Sequence, residues 1–306
     1  MKTSPFNDPS GWRRQWKKLS QTARFVSGGL PAALLFRLGL RLPALWYLRF
    51  RCDLGGHPFW VRPVDDIAFE EILFDGEYDF AAQILADEPS AAPTVIDGGA
   101  NVGLFSLAML IARPDATVHA LEPDARTFQI LKRNAAANPK LRWHAHPLAL
   151  WKSAGPLKFG ATPSSAGSRV HELAPKGRVE TAEGITLAGF LAQHSLAEIA
   201  LLKLDIEGAE EAVLRENEGV LDRARHLILE IHPGLSDENW IMRTVERHFP
   251  FVHQISGRTS AKPVILASRT IKDLPNGSSQ IISSAPPASS QRSAAFIPAL
   301  GTVADP

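Results

Sequence analysis

Five carboxylates and one histidine stand at the ends of apolar runs, and their placement carries the chemistry of this sequence. Asp97 closes "TVID", Glu122 closes "TVHALE", Asp205 and Glu207 follow "ALLKL", and Glu230 and His232 alternate at the end of "HLILEIH". Short apolar runs bounded by turn signals read as buried strands. Charges set into such runs are costly unless paired or used. At strand ends, carboxylates and imidazole can accept a hydroxyl proton, hold a ribose or ligate a cation.

The turn after Asp97, "GGANVG", opens into the apolar helical run Leu104–Ile111. Its glycines, Gly98, Gly99 and Gly103, lack the two-then-three spacing of a dinucleotide fingerprint. Leu104 and Phe105 stand where a phosphate-cradling loop needs Lys and Ser/Thr. Asp97 would also repel a pyrophosphate placed beside it in a partly dehydrated site. A ligand without phosphate that carries an ammonium and a sulfonium suits the position, and S-adenosylmethionine has both. Gly99 allows close backbone approach, and the helix beginning at Leu104 offers free N–H groups to a carboxylate. Glu122, 25 residues beyond Asp97, is placed to take both ribose hydroxyls. Nicotinamide cofactors share that position, so Glu122 supports an adenosine ligand without choosing it.

In "LLKLDIEGAE", Lys203, Asp205 and Glu207 alternate and share one face if the strand stays regular. Two readings stand. One is a buried Lys203–Asp205 ion pair with Glu207 starting a helix. The other puts Asp205 at the rim between cofactor and acceptor. Glu230 and His232 share a face at the next strand end. His232 is the first candidate for general base because an unperturbed imidazole titrates near neutrality, and Asp205 is the second. Asp205, Glu230 and His232 could also hold a divalent cation that acidifies the hydroxyl, but the sequence favours no metal.

With "VIDGGANVGLFSL", "HALEPD", "LLKLDIEGAE" and "ILEIH" in this order, the chain resembles the FkbM family of S-adenosylmethionine-dependent methyltransferases. The likeness runs from about Val61 to His232. It includes "VRPVDDIAFEEILFDGEYDF", which resembles that family's opening segment, with Asp66 and Tyr78 in place. The family is similar to O-methyltransferases acting on hydroxyls of glycans and polyketide-type natural products, so the expected acceptor is a hydroxyl of a glycan, glycolipid or natural product. The resemblance implies that Asp97, Gly99, Asn101 and Gly103 line the cofactor, that Glu122 holds the ribose, and that Asp205 and Glu207 border the active site. Gly98 departs from it, since the family often carries a larger aliphatic there.

The elements that must position these residues alternate. Seven strands, with helices between the first five, predict an α/β doubly wound, mostly parallel sheet with an antiparallel closing pair; the resemblance implies that it is the Rossmann-like sheet of a class I methyltransferase. "LRWHAHPLAL" reads as one of those strands. Helices are expected at Leu104–Ile111, Arg126–Ala137, Ala209–Glu216 and Asn239–Phe249. "KSAGPLKFGATPSSAGSRVHELAPKGR" reads as loop and hairpin, with Thr162–Arg169 a candidate cover for the acceptor.

The expected domains are a helical arm over residues 1–55, a catalytic body over 56–270 and a disordered Ser/Pro/Ala-rich tail over 271–306. Residues 1–52 hold ten Lys or Arg against one acid, which leaves 23 bases and 31 acids in the remainder. An acidic body is a poor nucleic-acid binder. Trp12, Trp16, Leu19, Ala23 and Val26 form a helical stripe beside Arg13, Arg14, Lys17 and Lys18, the pattern of a helix in a membrane interface or of one packed on the body or a second subunit. The apolar stretch that follows is interrupted by Arg37, Arg41 and Pro43, so no spanning helix or secretory signal is expected. A lone Cys52 excludes an intramolecular disulfide framework and fits a reducing, cytoplasmic setting, with peripheral membrane contact through the arm. Two further readings compete: a nicotinamide-dependent oxidoreductase, and a non-catalytic binding protein on a cofactor fold.

Overall fold

The computed structural model describes residues 9–162, 169–170, 178–255 and 262–274. The chain opens with helices α1 (Pro9–Phe25) and α2 (Gly29–Gly39) and a hairpin of β1 (Phe50–Leu54) and β2 (His57–Val61). Helices α3 (Asp66–Leu73) and α4 (Asp79–Ala86) follow. Then come β3 (Thr94–Gly98), α5 (Leu104–Ala112), β4 (Thr117–Leu121), α6 (Ala125–Ala136), β5 (Arg142–His146), β6 (Leu148–Leu150), β7 (Gly155–Ala161), β8 (Arg169–Val170) and β9 (Arg178–Ile185). The chain continues through α7 (Leu187–Gln193), β10 (Ile199–Leu204), α8 (Glu210–Asn217), β11 (Ala224–Glu230), α9 (Glu238–His248), β12 (Phe251–Ile255) and β13 (Val264–Ser268).

A seven-stranded sheet in the order β12-β13-β11-β10-β3-β4-β5 carries the fold. β11, β10, β3, β4 and β5 pair in parallel, while β13 runs antiparallel to both neighbours. This is the expected doubly wound sheet with its antiparallel closing pair. Every residue of β10 is buried, as a central strand covered on both faces requires. Helix starts follow local chemistry: the Asp124 side chain accepts from the Thr127 amide to cap α6, and Asp237 accepts from the Trp240 amide to cap α9.

Three features depart from the sequence reading. "LRWHAHPLAL" is two strands, because Pro147 has no N–H for the ladder; β5 stays in the main sheet and β6 joins a second sheet of order β6-β9-β7-β8. Helices α3, α4 and α7 appear in segments for which no helix is expected. The β1–β2 hairpin also spans the 55/56 boundary, and Phe36 and Phe50 share one core with Phe69, Leu85 and Phe105 of the body. Residues 163–168 of the expected acceptor cover and the tail from 275 lie outside the described residues.

Candidate active site

Strand order reverses between β3 and β10. From β3 the chain moves outward through β4 to β5, and from β10 outward through β11 on the other side. Ligands of open α/β sheets bind in the crevice at such a switch point, beyond the carboxyl ends of the strands. A cleft of about 1080 Å³, measured to its open mouth, lies there. Its wall includes Gly99, Asn101, Glu122, Asp205, Glu207 and Glu230.

The glycine turn is shaped by close backbone approach. Gly99 has φ +75°, and a Cβ there would stand 1.8 Å from the Asp205 carbonyl oxygen. Gly103 has φ +89°, and a Cβ would meet the Trp143 ring at 2.4 Å. Asn101 adopts φ +52°, with its side-chain oxygen accepting from the Val102 amide. A Cβ at Gly98 would come within 2.8 Å of Leu150 Cδ1, so a larger residue requires Leu150 to move. Glu122 accepts from the amides of Asn101 at 2.9 Å and Asp124 at 2.8 Å, one on each oxygen. Burial pushes its carboxyl up to about 8 despite those bonds.

Asp97 is not on the cleft wall. It is fully buried behind it, where it accepts from Ser106 Oγ at 2.6 Å and faces Lys203 Nζ at 3.5 Å. The expectation that it meets a ligand ammonium directly is therefore corrected: Lys203 occupies that role. Gly103 also stands back from the cleft and acts through the turn. Lys203 Nζ lies 3.3 Å from Asp205 Oδ2 and packs near the rings of Phe105 and Tyr78. Burial works against the Lys203 charge, but Asp205, Asp97 and Glu230 outweigh it and hold the amine above its usual range. Asp205 is thus paired with Lys203 and also lines the cleft.

Glu207 does not start a helix. It sits in the turn at φ +54°, uncommon for a non-glycine residue, with Gly208 next at φ +98°. The carboxylate at the helix start is Glu210. Its Oε1 accepts from the amides of Ile206 and Gly208 and lies 3.0 Å from His232 Nδ1. The other ring nitrogen of His232, Nε2, lies 3.3 Å from Glu207 and 3.6 Å from Glu230. Burial lowers the proton affinity of His232, but hydrogen bonding to Glu207 and Glu210 prevails and lifts it to about 10. A ring already holding its proton cannot take one, so His232 is corrected as general base.

The cleft also holds residues that sequence reasoning missed. Glu71 of α3 is pushed up to about 8, by burial first and then by Glu77, Glu230 and Asp205. Lys262 Nζ lies 3.0 Å from Glu230. Burial raises Glu230 to about 7, with Asp205 adding to the shift and Lys262 opposing it. Tyr78, placed by the resemblance, is buried on the wall. Asp66, the other residue it placed, faces away and pairs with Arg37 at 2.8 Å. Among the missed residues, Glu210 had a sequence signal as the third residue after Glu207 in "EGAE"; Lys262 and Glu71 had none.

Residues 97–258, just over half of the chain, match the model of the methyltransferase FkbM domain. The chain belongs to that family. It is 33% identical over 178 residues to methyltransferase sdnD of Sordaria araneosa, covering 48% of this chain and 66% of that one. It is 28% identical over 172 residues to the 31-O-demethyl-FK506 methyltransferase FkbM of Streptomyces tacrolimicus, with 45% and 65% covered. It is 27% identical over 168 residues to the hexuronic acid methyltransferase AglP of Haloferax volcanii, with 54% and 66% covered. The chain thus spans about two thirds of the length of these relatives. A solved METTL16 methyltransferase domain aligns with TM-score 0.44 at 12% identity, covering 86% of this chain and 93% of that one.

Proposed function

We propose that this protein transfers a methyl group from S-adenosylmethionine to a hydroxyl of a small-molecule, glycan or glycolipid acceptor. The observation that carries the reading is the switch-point cleft of an FkbM-family chain, where the glycine turn, which lacks the spacing of a phosphate-binding loop, and Glu122 adjoin a cluster of carboxylates. The family relatives named for 31-O-demethyl-FK506 and for hexuronic acid support an oxygen acceptor.

The residues present fit that cofactor. The turn at Gly99 and Asn101 leaves backbone against the cleft, Glu122 keeps free lone pairs beyond its two amide bonds, and the α5 N-terminus opens at Leu104 and Phe105. In this reading Gly99 and Asn101 hold the amino-acid part and Glu122 the ribose. When bound, the cofactor supplies an electrophilic methyl on a sulfonium. The chain supplies alignment and exclusion of water. Asp205 and Glu230 line the cleft and are the groups placed to accept the hydroxyl proton. Lys203 and Lys262 hold those two carboxylates in place.

Calorimetry with S-adenosylmethionine and, separately, with NAD tests the reading. Binding of the methyl donor alone supports it, and absence of donor binding at millimolar concentration would end it. Labelled donor incubated with a cell extract then identifies the acceptor class through the methylated product.

A second reading concerns the arm. Among the described residues no helix is long and apolar enough to cross a membrane. Helix α2 buries Ala33 and Phe36 yet exposes Leu30, Leu34, Leu35 and Leu38 on its outer side. We propose that this face, with the basic residues of the arm, rests on an anionic membrane surface. Cosedimentation with phosphatidylserine vesicles that is lost in Leu34→Asp/Leu38→Asp supports it. A concentration-dependent dimer abolished by the same changes would replace it with subunit packing.

A further inference from the structure

A network of buried polar groups runs from the cleft wall into the β1–β2 hairpin. Arg62, the residue after β2, is 3% exposed, and Asp65, Asp124, Thr127 and Glu122 are also buried. Arg62 grips both oxygens of Asp65, Nε to Oδ2 at 2.9 Å and Nη2 to Oδ1 at 2.7 Å. Nη2 also donates to Thr127 Oγ1 at 3.0 Å. The Thr127 amide donates to Asp124, and the Asp124 amide donates to Glu122, each at 2.8 Å. Asn134 of α6 fixes the same hairpin: it exchanges hydrogen bonds with the Trp60 backbone and donates to the Val102 carbonyl in the glycine turn.

We propose that Arg62 is a positioning residue for the cofactor: its charge and its hold on the α6 cap keep Glu122 a carboxylate aimed at the ribose. The proposal rests on the methyl-transfer reading, in which Glu122 takes the ribose hydroxyls. Arg62 lies outside residues 97–258, which match the family domain, so the hairpin becomes part of the cofactor site.

A buried ion pair is weak evidence for stability. The place of this one, behind the cap that feeds a cleft carboxylate, is what gives it a role. Arg62 acts on Glu122 by two routes. Through bonds, it fixes Thr127 in the first turn of α6, whose cap sets the Asp124 amide against Glu122. Through space, its charge favours the ionised form. Burial lifts the Glu122 carboxyl to about 8, and the Asp124 carboxylate adds to the shift, while the Asp124 and Asn101 amides and the Arg62 charge oppose it. Burial works against Arg62 as well, but Asp65, Asp124 and Glu122 prevail, so the guanidinium keeps its charge. A carboxylate can accept from both ribose hydroxyls, whereas the acid form turns one oxygen into a donor. Ribose binding therefore favours proton loss from Glu122, and Arg62 lowers the pH at which that happens. The ring of His146, whose carbonyl accepts from the Glu122 amide, is held at about 4 by burial first and is neutral in that range.

Adenosine tests this without turnover, because it carries the ribose but neither ammonium nor sulfonium. Calorimetry of the full chain should show adenosine affinity rising as pH passes through about 8. Arg62→Gln should move that rise to higher pH and weaken adenosine by about three- to tenfold at neutral pH. Arg62→Lys, which keeps the charge, should restore the wild-type midpoint. Thr127→Val cuts the bonded route alone and should weaken binding without moving the midpoint. Arg133→Gln, which loses stacking on the Trp60 ring of the same hairpin, should change neither. Circular dichroism checks folding, and Arg62→Met replaces Arg62→Gln if the latter fails to fold. A merely structural arginine predicts equal weakening at every pH with the midpoint unmoved, and that result overturns the proposal. Unaltered binding in Thr127→Val, or a wild-type affinity independent of pH, does the same. Calorimetry with S-adenosylmethionine reports separately on the methyl-transfer reading.

Discussion

Gly99→Ala is the sharpest test of how the cofactor turn is built. An added Cβ would stand 1.8 Å from the Asp205 carbonyl oxygen, and contacts under 3.0 Å are essentially never seen for real Cβ atoms. Backbone faces the methyl group, so no flexible side chain can yield; the Asp205 turn must retreat by about 1 Å or more. That retreat strains the Asp205 amide to Gly98 carbonyl bond, 3.2 Å long, which joins the two strand ends. Losing that bond costs about 1 kcal/mol, and placing alanine at φ +75° costs roughly 1–2 kcal/mol more. The expected loss is about 2–3 kcal/mol, or roughly 4–12 °C in melting temperature for a domain near this size. Because the displaced residue lines the cleft, donor affinity should fall further, with a misplacement of about 1 Å costing on the order of a hundredfold in turnover. Two controls separate the causes. Gly56→Ala, at φ +85° with no atom within 4 Å, carries backbone strain alone. Gly98→Ala meets mainly Leu150 Cδ1, the end of a flexible side chain, and should be the milder of the two switch-point changes. Thermal unfolding and calorimetry with S-adenosylmethionine are the readouts. Gly99→Ala matching Gly56→Ala in both would refute the reasoning.

The remaining predictions probe the buried charges and the arm. Asp97→Asn removes a fully buried carboxylate facing Lys203 and should cost about 3 kcal/mol in urea unfolding, as broken buried pairs do; an unchanged midpoint would contradict the pairing. Phe36→Ala in the arm should cost about 3–5 kcal/mol, because that ring is fully buried against Phe50 and Phe69, and a loss under about 1 kcal/mol would show the arm to be peripheral. His119 and His146, stacked beside Phe190, are held at about 3 and about 4, by burial first and neighbouring imidazoles second. Their unfolded value is near 6.5, so the unfolded chain takes up protons first as pH falls. Stability should be complete above about pH 6.5 and decline toward pH 4, by at most about 1.4 kcal/mol per pH unit for each ring. His146→Phe should flatten that slope in melting curves, and an unaltered slope would place the titrating groups elsewhere.

The reach of sequence and of structure divides along physical lines. Apolar runs ending on Asp97, Glu122, Asp205 and Glu230, with a glycine turn of known spacing between strand and helix, determined the parallel sheet and the place of the cleft. Strand periodicity and turn stereochemistry are local, so both survive in one dimension. Helices α3, α4 and α7 escaped because they are short, at seven or eight residues, and their stability comes from the faces they bury. Tertiary structure alone decided what each charged group does. Strand order put Lys203 between Asp97 and Asp205, which moved Asp97 behind the cleft wall. Packing of α8 and the β11 end brought Glu210 and Glu207 to His232 and turned an expected base into a held cation. The loop before β13 delivered Lys262, and α3 delivered Glu71, from 55 residues beyond and 136 residues before Glu207. Proton affinity depends on burial and on neighbouring charge, and neither quantity is written in the order of residues along the chain.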